Sequence, residues 1–313
     1  MCSHDRHKGI LSAVKKLQES RNVDVAWPDL HSRWCMRHMG ANFYSHFRSK
    51  RLEDLFKKLC KQNQRCKFDE IWTHLDKLTT SHMEDVHKKP VVAREEEPRG
   101  LDPIEGEPAR VTRRRKGGRS VKCFSEWIKN EPLEKWALIA DTDGSRYGIM
   151  TTNMVEVYNW VLKACRSLPL VAIVECILRG IVVYLRECFQ QAAVVVQSPQ
   201  FVYCKKMTEI IDKISAKGVL HRVHFMGNQD YFFEVSVRDK GAIGMGSSTV
   251  TMECQLWPET NTCVCSCNKP KLLNIPYSHV YAARGKAGIV GTYVSPYFLK
   301  EAVMATWSGE LRG

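Results

Sequence analysis

Ile10, Leu11, Val14 and Leu17 recur at helical spacing within "RHKGILSAVKKLQES", so the pattern predicts a helix near the start of the chain. "HSRWC", after the loop "WPDL", reads as a short strand. Leu52, Leu55, Phe56 and Leu59 then form an i, i+3, i+4, i+7 stripe, and a further helix is expected over Phe68 to Leu78. From Val86 to Lys122 large apolar residues thin out, while Pro, Gly and charge dominate. Such a segment buries too little surface to offset its ordering entropy, and a disordered linker is expected over 86–122.

Helical patterning returns at "FSEWIKNEPLEKWAL" and continues through "NMVEVYNWVLKACRSL". The most apolar stretch, Leu168 to Leu185, is interrupted by Glu175 and Arg179 at i,i+4. That pair on one helical face predicts a buried core helix rather than a membrane span. "CKKMTEIIDKISAKG" reads as another helix, with Gly218 as its C-cap. The period then switches to two. "VLHRVHFMG", "YFFEVSVRD" and "STVTMECQL" predict three strands, with a cysteine-rich segment directly after this small sheet. "GAIGMG" is no dinucleotide fingerprint, because no helix follows it. The expected fold class is therefore mixed α/β and predominantly helical.

Charge and cysteines narrow the function classes. The 313 residues carry 47 Lys+Arg against 34 Asp+Glu, a formal net charge of +13. The excess is partly clustered, which favours a polyanionic partner, nucleic acid before an anionic membrane surface. Thirteen cysteines, an odd and irregularly spaced set, and an opening without an apolar signal segment predict reduced thiols in a cytosolic or nuclear protein. "RVTRRRKGGRSVK" places Arg113, Arg114, Arg115 and Lys116 together in the linker. Such a run suits phosphate contact or nuclear import, and equally a solvated linker.

"CVCSCNKPKLLNIPYSH" carries the candidate chemistry. Cys263 and Cys265 flank Val264, so both sulfurs can point to one side of an extended segment. Cys267 continues the spacing, and His279 opens a short helix, "SHVYAARG". Thiolates with an imidazole favour Zn²⁺ over Mg²⁺ or Ca²⁺. The same spacing also suits a cysteine-rich hairpin whose thiols hold no metal.

"VTMECQLWPETNTCVCSCNKPKLLNIPYSHVYAA" resembles the SWIM zinc finger, whose pattern is Cys-x-Cys, a loop, then Cys-x-His. Cys263, Cys265 and His279 match three of its ligand positions, and Tyr277 occupies the fourth. Phenol is a poor ligand at neutral pH, since its ordinary pKa of about 10 keeps it protonated. Cys267 or water would complete a weakened site. SWIM fingers recur in plant Mutator-like transposases, and four segments resemble that family in order. They are "DRHKGIL", "HSRWCMRHMGANF", the block from "KWALIADTDGSRYG" to "LVAIVECI", and "YVSPYFLKEAVMATWSGEL".

The resemblance implies a remnant of an RNase H-like transposase core over 1–85 and 123–218. A SWIM-type finger over 219–285 and a tail over 286–313 would follow. Such enzymes cut and join DNA with divalent metals held by three carboxylates. Asp5 matches the second family aspartate and Glu156 the final glutamate, while the first has no counterpart in the sequence. Mg²⁺ would serve only a complete triad, so the expectation is a zinc-binding, DNA-associated, catalytically inactive protein of the nucleus. DNA would be contacted non-specifically or at terminal repeats, and the finger could recruit protein partners. Two alternatives stand beside it. One is an active DDE transposase lacking its N-terminal part, the other a domesticated transcriptional or protein-interaction factor. The thiol and imidazole of "CMRH", Cys35 and His38, could bind a metal with other ligands, but the resemblance implies that they support the core.

Overall fold

A computed structural model describes residues 2–4, 8–20, 27–28, 30–88, 123–141, 144–151, 162–227, 231–239, 248–289 and 291–309. It is mixed α/β and predominantly helical, with a small antiparallel sheet. Strand β1 (Cys2–His4) pairs in parallel with β2 (Ser32–Trp34), and helix α1 (Lys8–Gln18) lies between them in sequence. Helices α2 (Met36–Phe47), α3 (Lys50–Cys60) and α4 (Arg65–Lys88) follow. Arg48 turns the chain at φ 52°, and the Ser49 hydroxyl accepts from Leu52 N to cap α3. The stripe on α3 faces inward as the spacing predicts: Leu52, Phe56 and Leu59 are buried, with Leu55 packed against them.

Aromatic rings form the centre of this helical part. Phe43 stacks on Phe56 with ring centroids 4.9 Å apart, and Trp127 lies edge-on to Phe43 with centroids 5.3 Å apart. Phe68, Trp72, Phe124 and Trp136 extend the cluster. Each such ring removes about 150–250 Å² from water, an upper limit of roughly 4–6 kcal/mol apiece. The cluster joins residues on both sides of 89–122, so α5 (Phe124–Ile128) and α6 (Leu133–Trp136) share one core with α2–α4. Cys123, the N-cap of α5, gives no side-chain cap. Instead α4 supplies the acceptors that the first amides of a helix require. Phe124 N donates to Thr79 Oγ1 at 2.9 Å, and Ser125 N to Asp76 Oδ1 at 2.7 Å.

Helix α7 (Leu170–Gln197) departs from its sequence reading. A buried core helix was the expectation, yet Leu170, Val171, Val174, Leu178 and Val182 are exposed. The reason is its apolar circumference, which would need partners on several faces. Helix α11 (Lys300–Trp307) covers one, with Tyr184 edge-on to Trp307 at 6.0 Å. Among the described residues no helix is long and apolar enough to cross a membrane.

Helix α8 (Lys205–Gly218) leads into the sheet. Gly218 is its last helical residue, and Val219 after it keeps right-handed helical angles, so no left-handed cap forms there. Glycine serves a close approach instead. A Cβ on Gly218 would meet Ser278 O at 2.9 Å and Tyr281 Cβ at 3.2 Å on helix α10 (Ser278–Ala287). Strands β3 (Arg222–Phe225), β4 (Phe232–Asp239), β5 (Ser248–Trp257) and β6 (Thr262–Cys265) pair in that order, all antiparallel. Alternation puts Phe233, Val235 and Val237 of β4 and Met252, Cys254 and Leu256 of β5 inward, under Val280 and Ala283 of α10. The cysteine segment was expected after the sheet. Its first half is the fourth strand.

Candidate metal centre

Strand β6 positions the first candidate ligand, Cys265. In the antiparallel register Cys265 lies opposite Cys254 and Cys263 opposite Leu256. Cys263 and Cys265 therefore share a face, as alternation requires. The chain then turns sharply: Asn268 takes φ 58°, and its N–H donates to Cys265 O at 2.8 Å. That turn brings Cys267 back beside Cys265. Ser266 fastens it to β5, accepting from Glu253 N at 3.0 Å while its own N–H donates to Glu253 O at 2.9 Å. Helix α9 (Lys269–Leu273) and a second left-handed asparagine, Asn274, return the chain to α10. His279 sits in the first turn of α10.

Cys265, Cys267 and His279 converge, all buried, with their ligand atoms within 4.8 Å of one another. Cys265 Sγ is 3.5 Å from His279 Nδ1. Two thiols and an imidazole at this spacing fit a divalent ion of zinc type. Of the residues singled out in the sequence, the fold brings together Cys265, Cys267 and His279. Cys263 lies outside this group, although it shares the strand face. The Cys-x-Cys pair that the geometry selects is thus Cys265 and Cys267, two residues further along than the pair given first from sequence.

Tyr277, at the fourth position of the resemblance, is engaged otherwise. Lys269 Nζ stands 3.4 Å from its ring centroid, and the ring is edge-on to His279 at 5.5 Å. The helical part supports the turn: Asn63 Nδ2 donates to Cys267 O at 2.5 Å. Leu272 of α9 enters the aromatic cluster, and Asn274 Nδ2 donates to Gly144 O at 3.1 Å.

Without a cation the thiols hold their protons. The hydrogen bond with Cys254, whose thiol donates at 3.3 Å, and burial push Cys265 up to about 12. Burial likewise pushes Cys263 up to about 12. Cys267 is raised by its hydrogen bond with Cys265 and by burial, with His279 opposing. A bound divalent ion supplies the positive charge that thiolates need. Binding at neutral pH would then release about two thiol protons, and affinity is expected to rise about 100-fold per pH unit between pH 7 and 8. Competition against a chelator at each pH measures this. A rise below about tenfold per unit excludes ligation by both thiols.

Two neighbours of the site were not singled out in the sequence. Cys254 meets Cys265 only through the β5–β6 register, which the strand pattern could have suggested. His221 precedes β3, and burial lowers its pKa, favouring the neutral imidazole. Its Nε2 lies 2.9 Å from Ser278 Oγ. Asp5, Glu156, Arg113, Arg114, Arg115 and Lys116 lie outside the described residues. Cys35 is fully buried at the N-cap of α2, in line with a role in the core.

Around the site opens a cavity of about 310 Å³. Lys67, Lys217, Arg238 and Lys269 stand on its walls, and among the described residues no carboxylate lines it. No family model matches the chain, and neither a curated protein nor a solved structure matches it.

Proposed function

We propose that the protein is a transposase-derived zinc-binding protein that associates with DNA. The carrying observation is the convergence of Cys265, Cys267 and His279 beside a cavity walled by four cationic side chains and, among the described residues, no carboxylate. Zinc held by these three residues would tie the β6 turn to α10, where the apo thiols offer only weak S–H contacts. The ion is structural in this reading. It fixes the turn that leads into Lys269 of α9 against α10, so the cations around it present a stable surface to phosphates. The parallel β1–α1–β2 unit is compatible with an RNase H-like core, and a basic run at Arg113–Lys116 would add phosphate contacts. A nuclear location follows from DNA association.

The test is the salt dependence of binding to duplex DNA. Each neutralised phosphate contributes about 0.9 to the slope of log affinity against log salt. Changing Lys67, Lys217, Arg238 and Lys269 together to Ala is expected to lower that slope by about 3 to 4. Changing Arg113, Arg114, Arg115 and Lys116 to Ala should lower it by a comparable amount. An unchanged slope in the first variant removes the cavity from the interface. Affinity that hardly varies with salt in the parent protein overturns the DNA reading.

A second reading draws on α7. Its exposed Leu170, Val174, Leu178 and Val182 recur at four-residue steps and suit a protein partner, so a protein-interaction factor is the alternative.

A further inference from the structure

Structural zinc takes four donors, and Cys265, Cys267 and His279 supply three. The neighbours differ in their fitness to supply the fourth. Tyr277 is a phenol with Lys269 over its ring. Cys254 touches Cys265 from inside the sheet core, and Cys263 stands opposite Leu256 on β6. Neither lines the cavity that opens onto Cys267 and His279.

His221 is placed otherwise. It lies on the turn between α8 and β3 and lines the same cavity as Cys267, Tyr277, Ser278 and His279. Its ring centroid is 5.5 Å from that of His279, with the planes inclined at 45°. Two imidazoles on one tetrahedral zinc, each with a Zn–N bond of about 2 Å, hold their ring centres about 5 Å apart. The observed spacing is close to that value. Imidazole is also the donor that would turn the set into Cys₂His₂, a common closed zinc site.

Resting on the reading of Cys265, Cys267 and His279 as zinc ligands, we propose that His221 supplies the fourth ligand. His221 is outside the tightest group, and its Nε2 is within hydrogen-bond distance of Ser278 Oγ. Ligation exchanges that hydrogen bond for a metal bond. The preceding residues of the turn, Val219 and Leu220, are both 83% exposed, so a shift of the turn breaks little packing. The consequence is structural: the ion would pin the α8–β3 junction as well as the β6 turn and α10. Three converging donors would thereby gain a fourth protein ligand from a separate element of the fold.

Cobalt(II) bound to the full chain reads the ligands directly, because each thiolate adds sulfur-to-cobalt charge-transfer absorption. His221→Cys is expected to raise that absorption by about half, as two thiolates become three. A residue that merely positions Ser278 could not add such intensity. Zinc-edge X-ray absorption of the unaltered protein supplies a second measurement that needs no variant, with two imidazoles expected. Cobalt bound by His221→Cys without added charge-transfer intensity, or a single imidazole in the unaltered protein, overturns His221 and leaves the three-residue site standing. Failure of the unaltered protein to bind cobalt or zinc overturns the three-residue site as well.

Discussion

Zinc at about 1,000 times its dissociation constant is expected to raise the unfolding free energy by about 4 kcal/mol. The increment should vanish in Cys265→Ser and in Cys267→Ser, which each remove one of three converging donors. Denaturant midpoints with zinc and with chelator measure it, and equal midpoints would sink the claim. Hydrogen exchange should localise the effect. Amides of β6 and α10 are expected to lose protection on chelation, whereas the aromatic cluster around Phe43 keeps it, since its rings pack without the metal.

The metal-free protein should respond to pH in the opposite sense to metal affinity. Cys263 and Cys265, pushed up to about 12, have folded values above the ordinary thiol value of about 8.5. Their contribution to stability is complete below about pH 8.5 and declines as pH rises toward 12. Alkali therefore weakens the chelated protein while it strengthens zinc binding.

Asp141→Ala is expected to cost about 3–5 kcal/mol, the range for breaking a buried ion pair by removing one partner. Asp141 and Arg146 side chains are fully buried, and Arg33 is nearly so. Asp141 Oδ1 lies 3.4 Å from Arg146 Nε and 3.7 Å from Arg33 Nε. Its Oδ2 accepts from Arg146 N at 2.9 Å, and Ser145 Oγ donates to Oδ1 at 3.1 Å. Burial draws the Arg146 guanidinium down to about 10, with Asp141 opposing, so it remains charged at neutral pH. Removing the carboxylate leaves two cations close together without the counter-charge they share. Arg146 cannot turn away, because Nη2 donates to Glu134 O at 3.1 Å and Lys135 O at 2.6 Å. Asp141→Asn keeps an acceptor and should cost less. A urea midpoint that moves by less than about 1 kcal/mol equivalent in Asp141→Ala would contradict this account.

Local sequence pattern carries no trace of that network. "DTDGSRYG" gave no periodic signal, yet it holds Asp141, Arg146 and Gly144. Gly144 takes φ +68°, and its backbone approaches Lys271 and Asn274 of the segment following β6 so closely that a Cβ would collide with them. Neither the ion cluster nor this approach follows from local pattern, because the partners are distant in sequence.

Periodicity alone determined the α3 stripe, the helical character of 205–218 and the first three strands of the sheet. Each follows from apolar residues recurring at the helical or strand period, a property of the local chain. Thiol and imidazole chemistry likewise marked the segment from Cys263 to His279 without any coordinates. Which cysteines meet His279 was decided by tertiary structure. β6 pairing fixes the direction of Cys265, and the left-handed turn at Asn268 folds Cys267 back to it. Local spacing treats Cys263, Cys265 and Cys267 as equivalent. Only the position of α10, packed over the sheet and set close to Gly218, distinguishes them, and it also carries Ser278 and His279 to His221.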